Sequence, residues 1–143
     1  MSLRTEHLAR CLQTLQISLE QLRQAPAGSI DYEIYPNAVV KGFELSLETA
    51  GKLLRKAIKT YTGSPRAVDE LTYKEVLRHA AKHGLLQTVE VERWFAYRDN
   101  RNTTTHDYGV GFAEETLVLL PDFLADARRL EVTLREKFGR AET

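Results

Sequence analysis

Leucines recur every three or four residues over the first part of the chain, between about residues 2 and 24. They are Leu8, Leu12, Leu15, Leu19 and Leu22. This spacing places apolar side chains on one face of a helix, and Arg, Glu and Gln fill the other face. The pattern predicts a first amphipathic helix. Pro and Gly in residues 25–29 predict a loop after it.

A second, longer helix is predicted over about residues 31–60. Asp31 is a candidate N-cap, and Pro36 is tolerable near the start of the helix or at a kink. Its apolar face is formed by Val39, Val40, Phe43, Leu47, Leu54 and Ile58. Gly51 falls inside this helix, where it costs about 1 kcal/mol relative to Ala, and close approach of another helix would explain it.

Three further helices follow a loop over residues 61–66. Thr72 and Glu75 have the spacing of a capping box, which opens a short helix that closes at Gly84. Thr88 can cap a fourth helix, which contains Trp94 as a core or interface residue. A last helix covers about residues 113–138 and is expected to bend at its internal proline. These elements predict one all-α domain over residues 1–143, an antiparallel bundle of four to five helices.

Composition limits the class of protein. Lys plus Arg and Asp plus Glu are both 20, so the formal net charge is zero, which argues against coating nucleic acid by bulk charge and does not oppose self-association. The single cysteine, Cys11, lies on the apolar stripe of the first helix and favours a packed thiol over a reactive one. No segment has the roughly 20 apolar residues of a membrane span and no signal peptide is recognised, so a cytoplasmic protein is expected.

The segment most suited to chemistry is residues 101–108, which contains Arg101, His106 and Tyr108 in the pattern R-x4-H-x-Y. On an unbroken helix, Arg101 and His106 would be separated by roughly 140° around the axis. Three consecutive β-branched residues, Thr103–Thr105, favour a helix end between Arg101 and His106. Such an end would let His106 and Tyr108 fold back toward Arg101.

This set of side chains suits phosphate chemistry without a metal or other cofactor. Imidazole exchanges protons near pH 7, and guanidinium holds two phosphate oxygens and offsets transition-state charge. In RNA the 2′-OH supplies the nucleophile. The competing interpretation of so short a pattern is structural: Arg101 pairs with a carboxylate, His106 caps a helix and Tyr108 packs.

Two other polar patterns have alternative readings. Glu44, Glu48 and Lys52 form a stripe at four-residue steps, which favours a solvated ladder of ion pairs. His79 and His83 are four residues apart, as metal ligands on a helix can be, but no third ligand has suitable spacing. Packed or exposed histidines are favoured there, and no metal site is predicted.

The sequence around R-x4-H-x-Y resembles HEPN-domain proteins, specifically the HepT-like group also called nucleotidyltransferase substrate-binding proteins. Residues 41–54 are similar to the helix F-E-x3-E-x3-K-x-L of that family, and the resemblance covers about residues 5–135. It extends to Ser64-Pro65-Arg66, His83-Gly84-Leu85-Leu86, Trp94 and Arg101-Asn102. Gly51 departs from the pattern, since relatives usually carry Trp there.

The resemblance implies a five-helix bundle that forms a homodimer with a shared cleft and binds a minimal nucleotidyltransferase of the MNT type, encoded nearby. It implies a toxin with metal-independent RNase activity, in which Arg101 stabilises the phosphate and His106 is the acid/base. The nucleotidyltransferase would act as the antitoxin and would silence the RNase by adding AMP to Tyr108. Asn102, Glu48 and Glu44 become candidate supporting polar residues. The alternative is a noncatalytic subunit that presents substrate to a separate nucleotidyltransferase.

Overall fold

The computed structural model describes residues 3–26, 30–104 and 110–139, and within these it places the side chains of residues 3–26, 36–100 and 115–139. The described part contains six α-helices: α1 (Glu6–Gln24), α2 (Ile30–Ile58), α3 (Pro65–Asp69), α4 (Tyr73–Lys82), α5 (Val91–Thr104) and α6 (Val110–Phe138). Short 3-10 turns occupy Lys59–Tyr61 and Thr88–Glu90. Over the described residues there is no β-strand, so the predicted all-α fold is confirmed.

The helix α2 is the centre of the bundle. It packs against α1, α4, α5 and α6, while α5 also contacts α4 and α6. The apolar positions predicted for α1 and α2 are buried, as are Leu120, Leu124 and Leu130 of α6. Hydrophobic spacing therefore identified the core faces of α1 and α2 correctly.

Aromatic rings fill the space between α2, α5 and α6. Phe123 has edge contacts with Phe43, Trp94 and Tyr97, with ring centroids 4.9, 5.8 and 5.2 Å away. Edge-to-face pairs of this kind contribute about 0.5–1.5 kcal/mol each beyond burial of their area. The indole N–H of Trp94 donates to Glu90 at 3.1 Å. The predicted core role of Trp94 is confirmed, and its packing fixes α5 against α6.

The ends of α4 follow the predicted signals. Thr72 and Glu75 form a complete capping box at its N-terminus. At its C-terminus Gly84 has φ 77°, and the amides of Gly84 and Leu85 donate to the carbonyls of Ala81 and Ala80. This is the Schellman arrangement, in which a left-handed residue after the helix favours glycine.

Three predicted boundaries were wrong. Residues 61–66 are not one loop, because Pro65, with its φ already helical, occupies the first position of the short α3. Gln87 replaces Thr88 as the N-cap of the 3-10 turn before α5. The Gln87 amide donates to the Glu90 carboxylate at 3.1 Å, and the Glu90 amide donates to the Gln87 carbonyl at 3.0 Å. α2 begins at Ile30, so Asp31 lies in its first turn and does not precede it.

Cys11 is buried, at 7% exposure, which confirms the prediction of a packed thiol. Burial raises the pKa of this thiol, with a smaller opposing effect from a hydrogen bond with Thr49. No helix in the described ranges is long and apolar enough to span a membrane.

Candidate functional site

The motif begins in the last turn of α5. Arg101 and Asn102 belong to this helix, which is described through Thr104, the second residue of the threonine run. His106 and Tyr108 lie outside the described residues, and so do the side chains of residues 101–114. The proximity of Arg101, His106 and Tyr108 therefore stays a prediction.

The two helices that flank the motif are joined directly beside it. Asn100 precedes Arg101 and is only 9% exposed, and its side-chain oxygen accepts a hydrogen bond from the Thr116 hydroxyl at 3.1 Å. Thr116 is fully buried on α6. A buried polar pair between helices fixes their relative position, because buried polar groups in a dry interface need hydrogen-bond partners. The chain thus enters and leaves the motif from helices that are held together at that end.

A second polar contact fixes α5 against α6 farther from the motif. Asp126, 2% exposed, accepts two hydrogen bonds at 2.8 Å from Arg93 and one at 2.6 Å from the Tyr97 hydroxyl. Arg129 adds a contact at 3.1 Å. Burial acts to raise the pKa of Asp126, but these hydrogen bonds outweigh it and hold the pKa below its ordinary value. The carboxylate is therefore ionised at neutral pH, and it serves α5 as a fixed anchor.

The polar stripe of α2 includes the predicted ion pair. Lys52 lies 3.5 Å from Glu48, and both side chains are well exposed, which agrees with the solvated-ladder reading. Glu44 is only half-buried on the same stripe. Glu48 also lines a pocket shared with α5, so this carboxylate lies on the side of α2 that faces the helix of the motif.

This pocket, which we call the α2–α4–α5 pocket, is half open and has a volume of about 250 Å³. Its lining residues are Leu47, Glu48, Gly51, Lys52, Arg55, Tyr73 and Arg98. Three of these seven residues are cationic and one is a carboxylate, which makes the pocket locally basic on a protein whose net charge is zero. Bulk charge balance therefore does not exclude an anionic ligand here.

Gly51 is explained by the ring of Tyr73. A Cβ atom at position 51 would lie 2.5 Å from Cε2 of that ring, closer than real Cβ atoms come. The Tyr73 hydroxyl donates to the Leu47 carbonyl at 2.7 Å, which holds the ring against α2. The predicted close approach of another helix at Gly51 is confirmed: α4 approaches through its first residue.

The predicted histidine pair makes a different contact. His83 stacks on Tyr61, with ring centroids 4.2 Å apart and planes 4° from parallel. The described ranges contain no group of three or more His, Cys, Asp or Glu side chains arranged to hold a metal ion.

Sequence reasoning missed the residues that support the motif from outside it. A polar residue within an apolar helix face indicates a buried hydrogen-bonded pair. Three residues gave this signal: Asn100, Thr116 and Asp126. Arg98 is three residues before Arg101, so the i, i+3 spacing on one helix could have linked the two arginines. Tyr73 gave no signal of its own, because only the fold brings it to Gly51.

Comparison with known proteins agrees with this fold. A curated relative from Haemophilus influenzae, named "Probable ribonuclease HepT", is 28% identical to this chain over 98 residues. The matched residues are 68% of this chain and 66% of the relative, so the chain spans just under two thirds of the relative's length. The solved structure of HI0074 from the same organism, described as the fold of a substrate binding domain of a nucleotidyltransferase, superposes with a TM-score of 0.81 at 23% identity, covering 92% of this chain and 99% of that one. A solved structure from Thermus thermophilus gives a TM-score of 0.67 at 23% identity over 90% of this chain and 98% of the other.

The family described as "Nucleotidyltransferase substrate binding protein like" matches residues 3–136. This match covers nearly the whole bundle, including the stripe of α2, the α2–α4–α5 pocket and the motif at the end of α5. The chain therefore belongs to the HepT-like family of nucleotidyltransferase substrate-binding proteins, within the HEPN group.

Proposed function

We propose that this protein is a HepT-like toxin that cleaves RNA without a metal ion, through Arg101 and His106. The observation that carries the proposal is the position of the motif: it joins α5 and α6, two helices that the Asn100–Thr116 pair holds together next to Arg101. A site that must hold reacting groups in place needs such rigid flanks. Further support comes from the family match and from the name of the Haemophilus influenzae relative.

In the proposed reaction the ribose 2′-OH attacks the adjacent phosphodiester. A bond forms between the 2′-oxygen and phosphorus, and the bond from phosphorus to the 5′-oxygen breaks, which leaves a cyclic phosphate and a free 5′-OH. The 2′-OH proton passes to neutral imidazole, and the 5′-oxygen takes a proton from imidazolium, so His106 serves as the acid/base. Arg101 offsets the charge that builds on the phosphate oxygens. We further propose that this occurs in a homodimer, whose two motif segments share one cleft.

Three polar residues are assigned supporting roles. Glu48 lines the pocket next to α5 and is proposed to orient Arg101 or His106, with Glu44 one turn earlier on α2 in the same role. Asn102 follows Arg101 in α5 and is proposed to add a hydrogen bond to the phosphate.

The proposed control is covalent. A nucleotidyltransferase of the MNT type would transfer AMP from ATP to the Tyr108 oxygen and release pyrophosphate. The added phosphodiester is a bulky anion two residues from His106, so it would exclude RNA by size and by like charge.

RNA cleavage in excess EDTA tests the catalytic proposal. The purified protein is expected to cut tRNA or single-stranded RNA, and His106→Ala is expected to lower the rate by about 10²–10⁴-fold, the usual contribution of acid–base catalysis. His7→Ala is the matched control, because His7 is an exposed histidine on α1. Cleavage that persists undiminished in His106→Ala, or that requires a divalent ion, would refute the proposal.

The second candidate is a noncatalytic subunit that presents substrate to a separate nucleotidyltransferase. The family description and the description of HI0074 favour it. It predicts a tight complex with the nucleotidyltransferase encoded nearby and no RNA cleavage by the isolated protein. Sedimentation of the two proteins together, beside the cleavage assay, separates the two candidates.

A further inference from the structure

The α2–α4–α5 pocket lies one helical turn from the motif. Positions 98 and 101 are three residues apart on α5, so they lie within one turn of the helix backbone. A strand with one phosphate at Arg101 would therefore bring an adjacent phosphate toward Arg98.

The cations of the pocket are held in different ways. The guanidinium of Arg55 donates to the carbonyls of Val68 and Leu71 at 2.9 and 2.8 Å, so this charge is fixed in the wall. The guanidinium of Arg98 lies over the Tyr73 ring, 5.0 Å from its centroid. Within the described part of the chain Arg98 forms no ion pair of 4.0 Å or less. Its charge is positioned by an aromatic ring, which attracts a cation without neutralising it.

Lys52 supplies an exposed cation to the pocket. Its side chain is 72% exposed, and its ion pair with Glu48 at 3.5 Å is of the solvent-screened kind that contributes little. An incoming phosphate can therefore compete for the ammonium group at small cost. A planar fork from Arg98 and a point charge from Lys52 are two common ways of binding a phosphate oxygen.

Gly51 determines where the Tyr73 ring lies. Because position 51 has no side chain, the Tyr73 ring lies directly against α2, and the Arg98 guanidinium lies over the part of the pocket wall formed by this ring. We propose that the α2–α4–α5 pocket is a phosphate-binding subsite for single-stranded RNA, in which Arg98 and Lys52 hold the phosphodiester next to the one bound by Arg101. This inference rests on the proposed ribonuclease function and extends it to a second phosphate.

Salt-dependent RNA binding tests the subsite. Binding of a fluorescent, unstructured oligoribonucleotide is measured by anisotropy in the His106→Ala background between 50 and 200 mM salt, so that no cleavage occurs. Arg98→Gln and Lys52→Gln are each expected to weaken binding by about three- to tenfold and to reduce the slope of log affinity against log salt by about 0.7, the effect of one phosphate contact on single strands. Lys52→Arg is expected to retain both the affinity and the slope. Arg10→Gln, an exposed position on α1 outside the pocket, is expected to change neither.

The outcomes separate this inference from the function on which it rests. The subsite is overturned if Arg98→Gln and Lys52→Gln bind RNA with the same affinity and the same salt slope as Arg10→Gln, with the thermal melt unchanged. It is also overturned if the protein does not bind RNA in the His106→Ala background. Weakened binding to the nucleotidyltransferase with unchanged RNA binding also overturns it and assigns the pocket to a protein contact. Catalysis is judged separately by cleavage in EDTA: a silent wild-type protein whose RNA affinity still depends on Arg98 and Lys52 refutes the ribonuclease but keeps the subsite.

Discussion

At the scale of single residues, the most demanding position is Asp126. A carboxylate with 2% exposure is costly to desolvate, and its ionised form persists because Arg93, Tyr97 and Arg129 all donate to it. The same contacts act on the donors. Burial and the hydrogen bond to Asp126 raise the pKa of Tyr97, so this phenol stays protonated as the donor.

Asp126→Asn is expected to lower the free energy of unfolding by about 2–3 kcal/mol at pH 7, because the amide cannot accept charge-assisted bonds from all three donors. Urea denaturation measures this loss. Asp122→Asn, an exposed carboxylate one turn earlier on α6, is the control and is expected to stay within about 0.5 kcal/mol of the unchanged protein. A loss no larger than that of the control would show that the network contributes nothing net.

The same variant has a predictable pH dependence. The folded-state pKa of Asp126 is lowered, so its contribution is complete above the unfolded-state value of about 3.9 and is lost as pH falls through the folded-state value. The difference in unfolding free energy between the unchanged protein and Asp126→Asn should therefore be constant from pH 5 to 7 and shrink below about pH 4. A difference that instead grows on acidification would contradict the assignment.

At the scale of helices, the sequence predicted what depends on local spacing. Leucine periodicity gave the buried faces of α1 and α2, and the Thr72–Glu75 pair gave the start of α4, because both signals act within one or two turns. What it could not predict are contacts between elements distant in sequence. The Tyr73 ring at Gly51 and the Thr116 hydroxyl at Asn100 depend on how helices cross, which no local pattern records.

Gly51→Ala tests the crossing of α2 and α4. In an exposed helix this change stabilises by about 1 kcal/mol, but here the new methyl group meets a ring edge at 2.5 Å. We expect the sign to reverse, with a loss of about 1–3 kcal/mol from overpacking. Chemical denaturation measures it, and Gly63→Ala is the control, since no atom lies within 4 Å of its added Cβ.

A second variant identifies the cause. Tyr73→Leu removes the ring edge, so Gly51→Ala should cost less in that background than alone. Additive effects of the two substitutions would show that the ring is not what excludes a side chain at position 51.

At the scale of the whole molecule, a neutral chain carries a local basic pocket beside its motif. Lys52, Arg55 and Arg98 converge there although Lys plus Arg equal Asp plus Glu overall. A zero net charge gives no long-range repulsion of RNA or of a second copy, while the pocket supplies short-range attraction. In the proposed control, AMP on Tyr108 would add negative charge and bulk near this pocket, and both would oppose an anionic substrate.

Tyr108→Phe tests that control. The proposed nucleotidyltransferase needs the phenolic oxygen as its acceptor, whereas RNA cleavage through Arg101 and His106 does not consume it. The variant should therefore cleave RNA at a rate within a few-fold of the unchanged protein and should keep that rate after incubation with the nucleotidyltransferase and ATP, which silence the unchanged protein. Intact mass spectrometry should find one added AMP on the unchanged chain and none on Tyr108→Phe.

Tyr61→Phe is the control, since Tyr61 is an exposed tyrosine that stacks on His83, and this variant should be modified and silenced normally. Silencing of Tyr108→Phe would place the acceptor elsewhere, because a phenyl ring has no oxygen to bond to phosphorus.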